Sequence, residues 1–269
     1  PLSAHAANPH HARRWAILAV LGLAQLMVVL DGTVVNIALP SAQAALGFSD
    51  NDRQWIITAY TLAFGSLLLF GGRLADVMGR KAILLIGLIG FSVASAVGGT
   101  ANGFEMLVLA RGAQGLFGAL LAPAALSLLT TTFTDPDERG KAFGIYGAIA
   151  GTGAAIGLIL GGLLTEYLSW RWCLYVNLAL AIPAAVAAFG LLRNQRPEGA
   201  ARIDLLGTVV VSVGLLGIVY GCSRAEADGW TAPTTLGLLI GGLVLVALFV
   251  LIETRVANPL LPMRVVLDR

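Results

Sequence analysis

The chain has 269 residues, of which 57% are hydrophobic and only 12% charged, with a mean hydropathy of +0.84. A soluble domain carries about 25% charged residues, so this composition is that of an integral membrane protein. The net charge of +2 decides nothing by itself; the placement of the charges does. The apolar runs are too long and too free of strict alternation for a barrel, so the spans are expected to be helices. No phosphate-binding loop, dinucleotide fingerprint or nucleophile motif stands in a plausible setting. The chain is therefore not expected to be an enzyme, and no metal, cofactor or nucleic-acid partner is expected. Cys173 and Cys222 have no paired spacing and read as free thiols.

In chain order, residues 1–12 are small, polar and His-containing, and read as a disordered tail. Arg13 and Arg14 precede a long apolar run from Trp15. A secretory signal cleaved near Ala42-Gln43-Ala44 is the alternative reading of this run. The rest of the chain is equally oily, and the run carries Asp31, which both favour a retained span. Eight spans are expected, at 15–38, 54–72, 82–101, 105–132, 142–165, 172–192, 204–222 and 235–253. The expected organisation is a six-helix unit over 13–192, a polar linker over 193–203, two further spans over 204–253 and a basic tail over 254–269.

An even number of spans puts both ends on one side. Arg53, Arg171 and Arg224 fall on one face and Arg111 inside a span, while all other Lys and Arg fall on the opposite face. Positive charge collects on the cytoplasmic side, so both termini are expected there, in the plasma membrane. Between the second and third spans lies Gly71-Gly72-Arg73-Leu74-Ala75-Asp76-Val77-Met78-Gly79-Arg80-Lys81, which reads as a short cytoplasmic loop. Gly72 and Gly79 permit a tight backbone there. The plain reading is a loop that only sets topology.

Two ionisable residues lie within spans. An intramembrane charge is costly and is a functional candidate by default. Asp31 would serve proton or cation coupling; the alternatives are a carboxylate that pairs to hold helices together, or one near the membrane interface. Arg111 stays protonated, so it would bias a nearby carboxylate rather than carry the proton. Gln114, Gly115 and Gly118 follow it on one helical face, and the alternative is a packing face with one snorkelling arginine. Counting residues inward from the expected span ends puts Asp31 and Arg111 in one layer. Gly153, Gly157 and Gly161 recur every four residues, the small-residue pattern of close helix packing. Gln25, Asn36, Tyr146 and Asn177 are cavity candidates, or else satisfied polar groups between helices.

The stretch Gly72–Lys81, as G-x-L-A-D-x-x-G-R-K, resembles the loop between helices two and three of the major facilitator superfamily. Leu30-Asp31-Gly32-Thr33 through Pro40, Arg111-Gly112-Ala113-Gln114-Gly115, the glycine-rich run ending Gly161-Gly162, and Trp170-Arg171-Trp172 with Tyr175-Val176-Asn177 resemble its fourteen-helix drug/proton antiporters. The resemblance covers essentially residues 15–269. It implies an all-α membrane fold: a six-helix half built as a 3+3 repeat, plus the two inserted helices of that branch. It also implies proton-driven export of a small hydrophobic or amphipathic compound. It implies that the first and fourth helices lie side by side, so Asp31 and Arg111, in one layer, are expected to pair directly or through a water. Asp76 and Arg80 would form a cytoplasmic latch, with Asp76 facing a second half absent from this chain and Arg80 reaching Asp135, Asp137 and Glu138. Other readings are a metabolite symporter or uniporter on the same fold, or a non-transporting sensor or scaffold. Two departures stand out. Leu158 replaces a motif proline, and Ala179 lies where a proline is usual.

Overall fold

A computed structural model describes residues 11–193 and 205–253. Of the expected tail, His11–Arg13 form a short 3-10 turn; its remainder, the linker from 194 and the tail from 254 lie outside the described residues. The described residues form eight α-helices long and apolar enough to cross a membrane. They are α1 (Arg14–Leu46), α2 (Asp50–Met78), α3 (Arg80–Gly99), α4 (Phe104–Thr132), α5 (Pro136–Tyr167), α6 (Trp172–Leu191), α7 (Leu205–Asp228) and α8 (Pro233–Glu253).

Several helices outrun the expected spans, for local reasons. α1 does not stop before Pro40 but carries it to Gly47, whose φ of 71° closes the helix. Leu39 and Ala42 stay buried around the proline, so packing outweighs one lost backbone bond. α2 begins with a capping box. Ser49 Oγ accepts from Asp52 N at 3.2 Å, and Ser49 N donates to Asp52 Oδ2 at 3.1 Å. α5 starts six residues before its expected span: Asp135 accepts from the amides of Asp137 and Glu138, both at 3.0 Å, with Pro136 in the first turn. α7 runs on to Asp228, which pairs with Arg224 at 2.6 Å.

The expected loop at Gly71–Lys81 is nearly all helix. Gly72 lies within α2, and Gly79 alone separates α2 from α3. With φ at 95° and ψ at 137°, Gly79 holds a backbone conformation that a side chain would strain.

The packing of the first six helices is symmetric. α1 packs on α5 and α6; α4 packs on α2 and α3 in the same way; α3 meets α6 and α1 meets α4. Exchanging 1 with 4, 2 with 5 and 3 with 6 maps this set of neighbours onto itself, as a 3+3 repeat requires. The exchange extends to side chains. Lys81, opening α3, donates to Phe189 O near the end of α6 at 2.7 Å and sits 5.0 Å from that residue's ring centroid. Arg171, just before α6, donates to Gly99 O and Ala101 O at the end of α3, at 2.7 and 2.8 Å. Each cation meets carbonyls that a helix C-terminus leaves open. α7 and α8 pack on each other and attach through α2, where Thr58 and Ser223 hydroxyls meet at 3.1 Å.

Two apolar cores fill the six-helix unit. One gathers Ile17 to Met27, Ile83 to Phe91, Leu120 to Phe133 and Ala181 to Leu192; the other gathers Leu30 to Ala42, Leu107 and Cys173 to Leu174. Polar residues of α1, α3, α4 and α6 lie where the two cores meet.

Candidate functional site

At that junction sits one hydrogen-bonded cluster. Asp31 has no accessible surface, and Arg111 is 3% exposed. Arg111 donates to Asp31 Oδ2 at 2.5 Å, forming the expected ion pair. Its guanidinium stacks 4.3 Å from the Tyr60 ring centroid on α2. Arg111 also donates to Gln114 Oε1 at 2.8 Å, and Gln114 Nε2 donates to Asp31 Oδ1 at 3.0 Å and to Ser95 Oγ at 2.7 Å. From α6, Asn177 Nδ2 donates to Asp31 Oδ1 at 2.6 Å and to Ser95 Oγ at 3.2 Å. Two cluster atoms are buried without a hydrogen-bond partner: Arg111 Nε and Asn177 Oδ1.

The sequence explains how the helices come so close. A Cβ on Gly115 would overlap Tyr60 O, so glycine one turn after Arg111 lets α2 bring its tyrosine under the guanidinium. Ser95 falls on the buried stripe Leu84, Leu88, Phe91, Ser95 and Gly98 of α3. That helical spacing is the signal by which Ser95 was available to sequence reasoning, which missed it; Tyr60 gave no such signal. Asp31 lies 15 residues before the end of α1, about 22 Å along the axis, because α1 continues past Pro40.

Other candidates are placed as follows. Gly153, Gly157 and Gly161 face α1: a Cβ on Gly157 would overlap Thr33 Oγ1, and one on Gly161 would come within 3.1 Å of Val34 Cα. Gly162 faces open space and takes no part in that contact. Tyr146 donates to Gln25 Oε1 at 2.7 Å, so these two form a satisfied pair between α1 and α5, away from the cluster. Asn36 is exposed on α1. Gly72 and Asp76 line a cavity of about 460 Å³ with Arg73, Pro123, Ser127 and Phe249. Arg80 does not reach the acidic cluster among the described residues. Asp135 is spent on the cap of α5, and Glu138 binds Arg14 through two contacts of 2.8 Å. Cys173 is buried and Cys222 exposed, both free.

The comparisons agree with this architecture. The profile of the Major Facilitator Superfamily matches residues 21–260. The chain belongs to that superfamily. Among curated members, it is 55% identical over 269 residues to the puromycin resistance protein of Streptomyces alboniger, covering all of this chain and 53% of that protein. It is 43% identical to the cephamycin export protein of Amycolatopsis lactamdurans, over 90% of this chain and 50% of that one. It is 37% identical to a tetracenomycin C resistance and export protein of Streptomyces glaucescens, over 93% and 47%. The chain thus spans about half the length of the curated relatives it matches. A bacterial homologue of the human lysosomal transporter Spinster, solved inward-facing and unoccupied, shares the fold at a TM-score of 0.54 and 20% identity, over 92% of this chain and 62% of that one.

Proposed function

We propose that this superfamily chain works as the N-terminal part of a longer exporter, which moves a small hydrophobic or amphipathic compound such as an antibiotic outward against inward proton flow. The observation that carries the reading is the Asp31 carboxylate, fully buried and paired with Arg111 where the helices of both triplets meet. A scaffold has no need of a charge pair in that position, because apolar residues would pack there at no desolvation cost. The relatives' names supply the substrate class: puromycin resistance, cephamycin export, tetracenomycin C resistance and export.

Asp31 would exchange the proton, and Arg111 would hold the charge balance while the carboxylate is ionised. A second half would supply the other wall of the cavity, since alternating access rocks one half against another around a central site. Asp76 and Arg80 would act at that junction, on the cytoplasmic side with both ends of this chain. The proton gradient would be the energy source, with no cofactor, in the plasma membrane.

The test is export by cells carrying the complete protein or its Asp31→Asn variant. The variant should lose proton-driven export while still reaching the membrane. A wild-type export rate in Asp31→Asn would overturn the assignment.

A further inference from the structure

We propose that Asn177 is a positioning residue that follows the protonation of Asp31 by turning its side-chain amide over. This rests on the reading of Asp31 as the proton-exchanging group. The network fixes the starting orientation: a carboxylate only accepts, so Asn177 must present Nδ2 to Asp31 Oδ1 and to Ser95 Oγ. That leaves Asn177 Oδ1 buried with no partner. Ser95 Oγ accepts from both amides and no bond of its own proton is formed in the cluster.

Protonation changes what Asp31 needs. When Oδ1 takes a proton from a hydronium ion, one O–H bond of that ion breaks, a water is released, one O–H bond forms on Oδ1, and the group facing Asn177 becomes a donor. Nδ2 against that donor would leave two donors facing each other. Turning the amide brings Oδ1 of Asn177 to the same spot, where it accepts from the Asp31 hydroxyl and from the idle Ser95 hydroxyl. Gln114 still donates to Asp31 Oδ1, and Arg111 stays on Oδ2. The pocket without a partner holds an amide oxygen before the turn and an amide nitrogen after it.

Gln114 cannot make this move. Both ends of its amide are engaged, with Oε1 held by Arg111 and Nε2 by Asp31 and Ser95. Asn177 alone of the two amides has a free end. Charged, titratable and polar groups face Asp31 from the helices packed around it. α4 offers Arg111, α2 offers Tyr60 beneath it, α6 offers Cys173 a turn from Asn177, α3 offers Ser95, and α5 offers Gly157 against Thr33.

Infrared difference spectra between acid and neutral pH, taken on the complete protein in lipid with side-chain 13C-labelled asparagine, test the turn. Wild type should show a protonated-carboxyl stretch that Asp31→Asn lacks. It should also show a label-sensitive asparagine band that is absent from Asp31→Asn and from Asn177→Leu. If Asn177→Leu does not fold, Asn177→Ser gives the same band assignment. Proton-driven export should fall by about tenfold in Asn177→Leu, the scale of a hydrogen bond to a charged group. A carboxyl stretch without any asparagine band, or an asparagine band that survives replacement of Asn177, overturns the amide turn and leaves proton exchange at Asp31 standing. Absence of the carboxyl stretch from wild type would overturn the exchange itself, and the turn with it.

Discussion

Arg111 and Arg14 each hold a carboxylate on another helix, yet the two pairs belong to different physical regimes. Arg111–Asp31 lies at the junction of two apolar cores, with side chains 4% and 0% exposed. Arg14–Glu138 joins the starts of α1 and α5, with side chains 20% and 28% exposed. The outer pair has two contacts of 2.8 Å, one of them a hydrogen bond, but water shares its charge. The inner pair has given up its hydration and recovers it only through Gln114, Asn177 and the Tyr60 face. An ion pair near water fastens helices only weakly. A charge far from water depends on its partners for the hydration it has lost, so removing one of them is costly.

The sharpest way to break the comparison is Arg111→Leu. It leaves Asp31 buried with two amide donors and no counter-charge. Breaking one side of a buried pair typically costs about 3–5 kcal/mol. Thermal unfolding of the purified complete protein should show that loss. Adding Asp31→Asn to Arg111→Leu should recover most of it, because the stranded charge goes. Equal destabilisation in the single and double variants would mean that packing, not charge, dominates the cluster.

This contrast also marks what the sequence could and could not convey. Asp31 and Arg111 were legible because ionisable residues are rare inside spans, and two of them in one layer have few ways to be satisfied. Ser95 and Tyr60 are common uncharged types, and only their place against neighbouring helices makes them part of the site. Charges near the helix ends misled for the opposite reason. Arg80 and the Asp135–Glu138 cluster look complementary in a list, but Asp135 is spent capping its own helix and Glu138 is held by Arg14. The eight spans were legible from hydropathy, whereas their ends were not. Hydropathy registers the apolar middle of a helix, and the polar turns of α2, α5 and α7 project beyond it.

Gly79→Ala gives the next largest effect and acts on backbone alone. Its φ of 95° and ψ of 137° would cost about 1–3 kcal/mol with a side chain present. The variant should unfold at lower temperature and loosen the join of α2 to α3 without touching the central pair. A comparable loss in Gly162→Ala, where a Cβ meets open space, would mean that glycine content rather than conformation matters.

The reciprocal caps sharpen the comparison within one helix pair. Arg171 meets two carbonyls and the Trp170 ring at 4.6 Å, whereas Lys81 meets one carbonyl and the Phe189 ring. Replacing either by Met removes charge-assisted bonds to a helix end, each worth on the order of 1 kcal/mol. Arg171→Met should therefore cost more than Lys81→Met. The reverse order in unfolding midpoints would show that the motif lysine has work beyond the cap.

Glu138→Gln should do least. Gln keeps an oxygen within reach of Arg14 and removes the charge, and a partly solvated pair contributes about 0–1 kcal/mol. The small loss should shrink further as salt rises, since ions screen charges that water reaches. The central pair has no accessible surface on its acidic side, so salt should leave the cost of Arg111→Leu nearly unchanged. Measuring both variants at low and high ionic strength separates the two regimes directly. If Glu138→Gln cost as much as Arg111→Leu, and did so in high salt, the α1–α5 pair would be a buried lock rather than a fastening at the rim.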